Sequence, residues 1–197
     1  MKKKIAIAVT ALALVLCFAI GGTIAWLIAQ TNSVVNTFTY GDINITLSET
    51  TTDYKMVPGN AIAKDPKVTV QANSEACWLF VQVTKSDNFD TFMTYGIDSN
   101  WTVLETSADG LTTVYYYNGT DLDTLLSEAK TYSVLSDDKV TVKADVTKAQ
   151  LSGFDNDKDG VLSDEEKSSL PKLTFQAYAI QKASFATAES AWAEASK

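Results

Sequence analysis

Residues 76–83 read Ala-Cys-Trp-Leu-Phe-Val-Gln-Val, an almost unbroken apolar run with aromatic and β-branched side chains. Such a run predicts a central strand with both faces covered. The segments around it have the period of half-buried strands. Ile43, Ile45 and Leu47 alternate with Asp42, Asn44 and Thr46, and Val68 and Val70 alternate with Lys67, Thr69 and Gln71. Val140 and Val142 repeat the pattern, and Val114-Tyr115-Tyr116-Tyr117 is aromatic and β-prone. From Leu173 to Gln181, Phe175, Ala177 and Ala179 fall on one face, with Tyr178 and Ile180 on the other. Pro58-Gly59, Ser107 to Gly110 and Asn118-Gly119 supply turns between these runs. Helical spacing is confined to Asp121–Lys130 and to Thr187–Ala195, with Thr187 as N-cap. Many short strands without βαβ alternation imply an all-β, antiparallel β-sandwich with one or two short helices.

The chain has 197 residues, of which 46% are hydrophobic and 20% charged, enough to bury one sizeable core. Acidic residues outnumber basic ones 24 to 16, and the formal charge is -8. Every basic residue is Lys. Without His there is no Ser-His-Asp or Cys-His nucleophile pair and no HExxH zinc site. Without Arg, and with an acidic balance, no nucleic-acid partner is expected.

Lys2, Lys3 and Lys4 precede an apolar run from Ile5 to Ile20 and a small-residue exit at Gly21-Gly22-Thr23-Ile24-Ala25. This is the layout of a secretory signal peptide, so residues 1–25 are expected to form a signal helix cleaved after Ala25, and residues 26–197 one mature domain. Contact with the membrane is then confined to the signal segment before cleavage; the alternative is an uncleaved anchor. Cys17 leaves with the signal. Cys77 is then the lone mature cysteine, expected as a buried small hydrophobe and not as half of a disulfide.

The exit Gly21-Gly22-Thr23, followed by Asn36-Thr37-Phe38-Thr39-Tyr40-Gly41-Asp42-Ile43-Asn44-Ile45-Thr46-Leu47, resembles the start of TasA/camelysin-type proteins. The resemblance continues at Met56-Val57-Pro58-Gly59, at Lys64-Asp65-Pro66 before Val68-Thr69-Val70, and through Ser74-Glu75-Ala76-Cys77-Trp78. It returns at Leu173 to Gln181. It implies a secreted Gram-positive protein whose signal is processed by the dedicated peptidase SipW, with a jelly-roll-like β-sandwich. It also implies a structural protein of the biofilm matrix or cell surface, meeting matrix or surface components. Self-assembly into fibres would proceed by donating the N-terminal strand, here the mature start through about Thr39, with Val34, Val35 and Phe38 filling pockets on a neighbour's sheet edge. The protease activity attached to camelysin does not carry over to a chain without His, and no enzyme is expected.

Residues 155–166 read Asp-Asn-Asp-Lys-Asp-Gly-Val-Leu-Ser-Asp-Glu-Glu, matching the twelve-residue calcium loop of an EF-hand. Asp155, Asp157 and Asp159 stand at positions 1, 3 and 5 and offer hard carboxylate oxygens. Gly160 permits the turn at position 6, and Val161 offers its carbonyl at position 7. Ser163 at position 9 acts directly or through water, and Glu166 at position 12 binds bidentately. Leu162 at position 8 is expected to pack inward. Pro171 limits the exit helix to about one turn. The expectation is one structural Ca2+ in an insertion before the last major strand; the bland reading is a solvated acidic turn.

Other acid pairs, Asp137-Asp138, Asp121 with Asp123 and Asp87 with Asp90, read better as turn caps than as a glycosidase pair. Trp101 and Tyr115 to Tyr117 read better as packing than as a sugar platform. Two other classes stay open at this point. One is a monomeric calcium-dependent surface adhesin or carbohydrate-binding module, and the other a metal-dependent hydrolase.

Overall fold

The computed structural model describes residues 43–49 and 55–195. The signal segment, the candidate donor strand through Thr39 and the boundary at Ala25 lie outside the described residues.

A strand whose first five residues are all apolar settles in the middle of a sheet. Strand β4, Cys77–Lys85, does so: it pairs antiparallel with β10, Leu173–Gln181, on one edge and with β7, Thr112–Tyr117, on the other. The sheet is completed by β6, Trp101–Thr106, in the order β10-β4-β7-β6. A second sheet has the order β1-β3-β8, from Ile45–Ser48, Lys67–Val70 and Lys130–Ser133. A third has the order β2-β9-β5, from Ala61–Ala63, Leu135–Val142 and Met93–Ile97. Every pairing is antiparallel, and the fold is all-β.

The alternation along β4 sends its residues into two different cores. Cys77, Leu79, Val81 and Val83 pack with Val68 and Val70 of β3, Trp101 and Tyr132. Phe80 points the opposite way, into Val114, Ala188, Ala191 and Trp192. The cover on that second face is α4, Ala188–Ala195, whose first turn is capped where the Thr187 hydroxyl accepts the Ser190 N–H at 3.3 Å. β10 divides its side chains in the same manner: Phe175, Ala177 and Ala179 join the β4–β3 core, while Tyr178 and Ile180 join Phe80. A third cluster gathers Phe89, Phe92, Met93, Leu135, Val140, Val142 and Val146 beneath β9 and α1, Phe89–Phe92.

The turns follow their residue chemistry. Asn60 N–H bonds the Val57 carbonyl at 3.0 Å across Pro58-Gly59, and Gly59 takes the positive φ of 79° that a side chain resists. Between β6 and β7, Gly110 N–H bonds the Ser107 carbonyl at 2.9 Å, and Asp109 accepts the Leu111 N–H at 3.0 Å.

The amphipathic stretch Asp121–Lys130 is not an α-helix. It forms a 3-10 turn over Thr120–Leu122 and then bends twice before β8. Leu122 and Leu126 are buried as their spacing demands, but the backbone of Leu126 bonds across the chain: its carbonyl accepts from Asn73 at 2.7 Å and its N–H donates to Ser74 at 2.9 Å. Backbone groups used in this way are lost to an i to i−4 ladder. The remaining helices are α2, Lys148–Ser152, and α3, Asp164–Ser168. No helix among the described residues is long and apolar enough to cross a membrane.

Candidate metal loop

α2 and α3 bracket the acidic loop, making a helix-loop-helix in miniature. Thr147 opens α2 with a capping box, its hydroxyl accepting the Gln150 N–H at 3.2 Å while Gln150 Oε1 accepts the Thr147 N–H at 2.8 Å. Phe154 ends this approach with its ring 5.1 Å from that of Phe92, tying the loop's entrance to the third core. Ser163 and Glu166 form a second capping box that starts α3, which ends before Pro171.

Between these anchors the loop is wound by its own carboxylates. Asp155 Oδ2 accepts the Gly160 N–H at 3.0 Å, Asp157 Oδ1 the Asp159 N–H at 3.3 Å, and Asp159 Oδ1 the Val161 N–H at 2.7 Å. Gly160 has φ +84° and Lys158 φ +62°, so the chain reverses sharply at both places. The result brings one ligand atom from each of Asp155, Asp157 and Asp159 within 4.8 Å of the others. Asp155 Oδ1 is buried and has no hydrogen-bond partner among the described residues. A buried carboxylate oxygen left in that condition is costly, and a cation relieves the cost. The donors are all oxygens, the set that hard divalent ions take, unlike the nitrogen and sulfur sets usual for zinc.

The other three candidate ligands stand differently. The Val161 side chain is exposed, with its backbone in the loop. The Ser163 hydroxyl serves as the α3 N-cap. Glu166 is buried outside the aspartate cluster: Oε1 accepts the Asn156 N–H at 2.6 Å, and Oε2 accepts the Ser163 N–H and hydroxyl, each at 2.8 Å. These bonds, led by the backbone N–H of Ser163, hold the carboxyl below the usual glutamate range. Oε2 spends both its lone pairs on Ser163 and only Oε1 keeps one, so bidentate binding by Glu166 would require its bonds to Ser163 to give way. Leu162 is half-buried and lines a groove together with Phe154 and Leu170.

Of the other acid pairs, all members but Asp87 meet a lysine. Asp90 meets Lys85 at 2.6 Å, Asp138 meets Lys67 at 3.3 Å, Asp137 meets Lys139 at 2.9 Å, and Asp123 pairs with Lys182. Asp137 and Asp138 lie within β9 and not in a turn; both have positive φ where the pairing with β5 slips register. Trp101 is buried and donates its indole N–H to the Ser133 carbonyl at 2.8 Å, and Tyr117 meets it edge-on and Tyr132 at a tilt. This aromatic group is packing, not a platform. Cys77 is buried and free, and burial pushes its thiol up to about 11, which removes it as a nucleophile near neutral pH.

Fold and loop together define an antiparallel β-sandwich protein with a cluster of three aspartates in the loop between α2 and α3. Residues 1–89 match the family model of the camelysin metallo-endopeptidases, so this part of the chain is similar to that family. Nothing among the curated proteins or the solved structures matches the chain. The acidic loop lies beyond the matched stretch.

Proposed function

We propose that this is a secreted, non-enzymatic structural protein of the extracellular matrix or cell surface, and that its 155–166 loop holds Ca2+ as a structural staple. The observation that carries the calcium reading is the unpartnered, buried Asp155 Oδ1 beside Asp157 and Asp159. In that reading Asp155, Asp157, Asp159 and Glu166 supply carboxylate oxygens, Val161 its carbonyl, and Ser163 its hydroxyl or a bound water. The ion joins the two ends of the insertion, one fixed at Phe154 on Phe92 and the other leading into β10. A solitary extracellular loop binds modestly, with a Kd on the order of 10⁻⁴–10⁻³ M.

The family supports the secreted and structural parts of the reading. Processing after Ala25 and fibre assembly through the segment ending near Thr39 belong to the same proposal. An enzymatic role is disfavoured by the absence of His and by the pairing of acids with lysines.

Limited proteolysis with and without millimolar calcium tests the staple. Calcium is expected to suppress cleavage between Gly153 and Lys172, and unchanged cleavage there sinks it. Light scattering and electron microscopy of the protein starting at Trp26, beside a variant starting after Thr39, test assembly. Filaments from the longer form alone are expected. A persistent monomer retained on a glycan matrix would favour the adhesin reading instead.

A further inference from the structure

A groove of about 780 Å³ runs between the 151–173 segment and the third sheet. Its walls are apolar, with Ile62, Met93, Phe154, Leu162 and Leu170 among them. Among the described residues, every polar side chain lining it is a lysine: Lys55, Lys64, Lys167 and Lys172. In a chain with 24 acidic residues and 16 lysines, a lining with four lysines and no acid is a departure from the rest of the molecule.

The lysines are not equivalent. Lys64 is nearly buried, meets Glu49 at 2.8 Å and lies over the Phe175 ring, so its charge is already engaged. Lys167 meets Asp164 at 3.4 Å on the exposed side. Lys55 and Lys172 are exposed and have no ion-pair partner among the described residues.

The lining selects its occupant. A peptide or a sugar carries many polar groups that need partners once desolvated, and no Ser, Thr, Asn, Gln, Asp or Glu side chain lines the walls to supply them. An alkyl chain needs none. The volume falls in the range of small-ligand sites, and apolar walls with a few placed charges are their usual make-up. We propose that the groove between the acidic insertion and the β2–β9 strands binds a free long-chain carboxylate, its tail on Ile62, Met93 and Phe154 and its head group between Lys55 and Lys172. Leu162, Leu170 and Lys172 come from the insertion itself, so the site is completed by the same segment that carries the acidic loop.

The test titrates the full-length protein with cis-parinaric acid, a fluorescent long-chain carboxylate. Saturable binding near one equivalent is expected, displaced by oleate, with the methyl ester at least about tenfold weaker because it lacks the charge for a charge-assisted hydrogen bond. The double substitution Lys55→Glu and Lys172→Glu should weaken binding by about tenfold or more with the thermal midpoint unchanged. The milder pair Lys55→Gln and Lys172→Gln, in case the first misfolds, should lower affinity in the same direction. Absence of saturable fluorescence, or equal affinity for acid and ester, overturns the proposal. So does binding to vesicles of anionic phospholipid with none to the free acid, which would make the lysines a membrane-surface contact.

Discussion

The β4–β10 pair and the 146–172 insertion are stabilised by different physics. β4 and β10 share an uninterrupted register from Cys77 opposite Gln181 to Lys85 opposite Leu173, and their alternate residues fill two separate apolar cores. The insertion has two helices of a single turn each, its loop is exposed, and it is shaped mainly by carboxylates bonding nearby N–H groups. The first region draws on apolar burial, which is indifferent to ions and weakly dependent on pH. The second draws on charge and local hydrogen bonds, which respond to both. A protein built in this manner can have one part that responds to its surroundings while the frame stays fixed.

Four experiments sharpen this contrast. Phe80→Ala should cost about 3–5 kcal/mol, because the ring is fully buried and packs on Trp192 at 5.4 Å; the denaturant midpoint measures it, and calcium should leave that loss in place. Calcium at about ten times its Kd should raise stability by about 1.4 kcal/mol, and Asp155→Asn should abolish the gain; an equal shift in that variant would place the ion elsewhere. Thr147→Ala should cost about 1 kcal/mol by removing the α2 cap, with faster amide exchange confined to the insertion; exchange rising equally in β4 would erase the distinction between the regions.

The fourth experiment concerns Asp121, whose contribution depends on pH. Burial works to raise its carboxyl, but the Tyr132 hydroxyl at 2.9 Å and the Lys130 ammonium at 3.3 Å outweigh it, and the group sits below the ordinary 3.8. A carboxyl lowered by folding stabilises above its unfolded value, and that stability is lost as pH falls through the folded one. Asp121→Asn should therefore cost about 1 kcal/mol at neutral pH, with the difference closing as pH falls below the ordinary carboxyl range and the folded group protonates. A difference that is constant with pH would show the contact to be indifferent to charge.

Six of the ten strands among the described residues were legible because their own residues alternate or run apolar. The four that were not lie in polar or very short stretches. β2 is three residues long, and β8 reads Lys-Thr-Tyr-Ser with only Tyr132 buried. β6 leaves Val103 exposed at an edge and slips register beside Glu105, and β5 carries Gly96 at a similar irregularity. Such strands are defined by their neighbours more than by their own pattern. The acidic loop was legible because its donors are consecutive. That Glu166 stands in a capping box with Ser163 follows from the same spacing, since Ser-x-x-Glu is a capping signature as well as part of a calcium loop. The lysine-rimmed groove had no linear signal, because its lining comes from residues between 55 and 173 that only the fold assembles.

The pairing of β4 with β10 also sets a timetable. Leu79 meets Ala179, so one edge of the most apolar strand stays open until nearly the whole chain is available. Contacts of such long sequence separation form slowly, and an apolar strand edge left open in the meantime is prone to aggregate. A ribosome releasing this chain would hold an unfinished sheet until Leu173–Gln181 emerges, and a truncation anywhere before Leu173 would leave β4 without the strand that closes that edge.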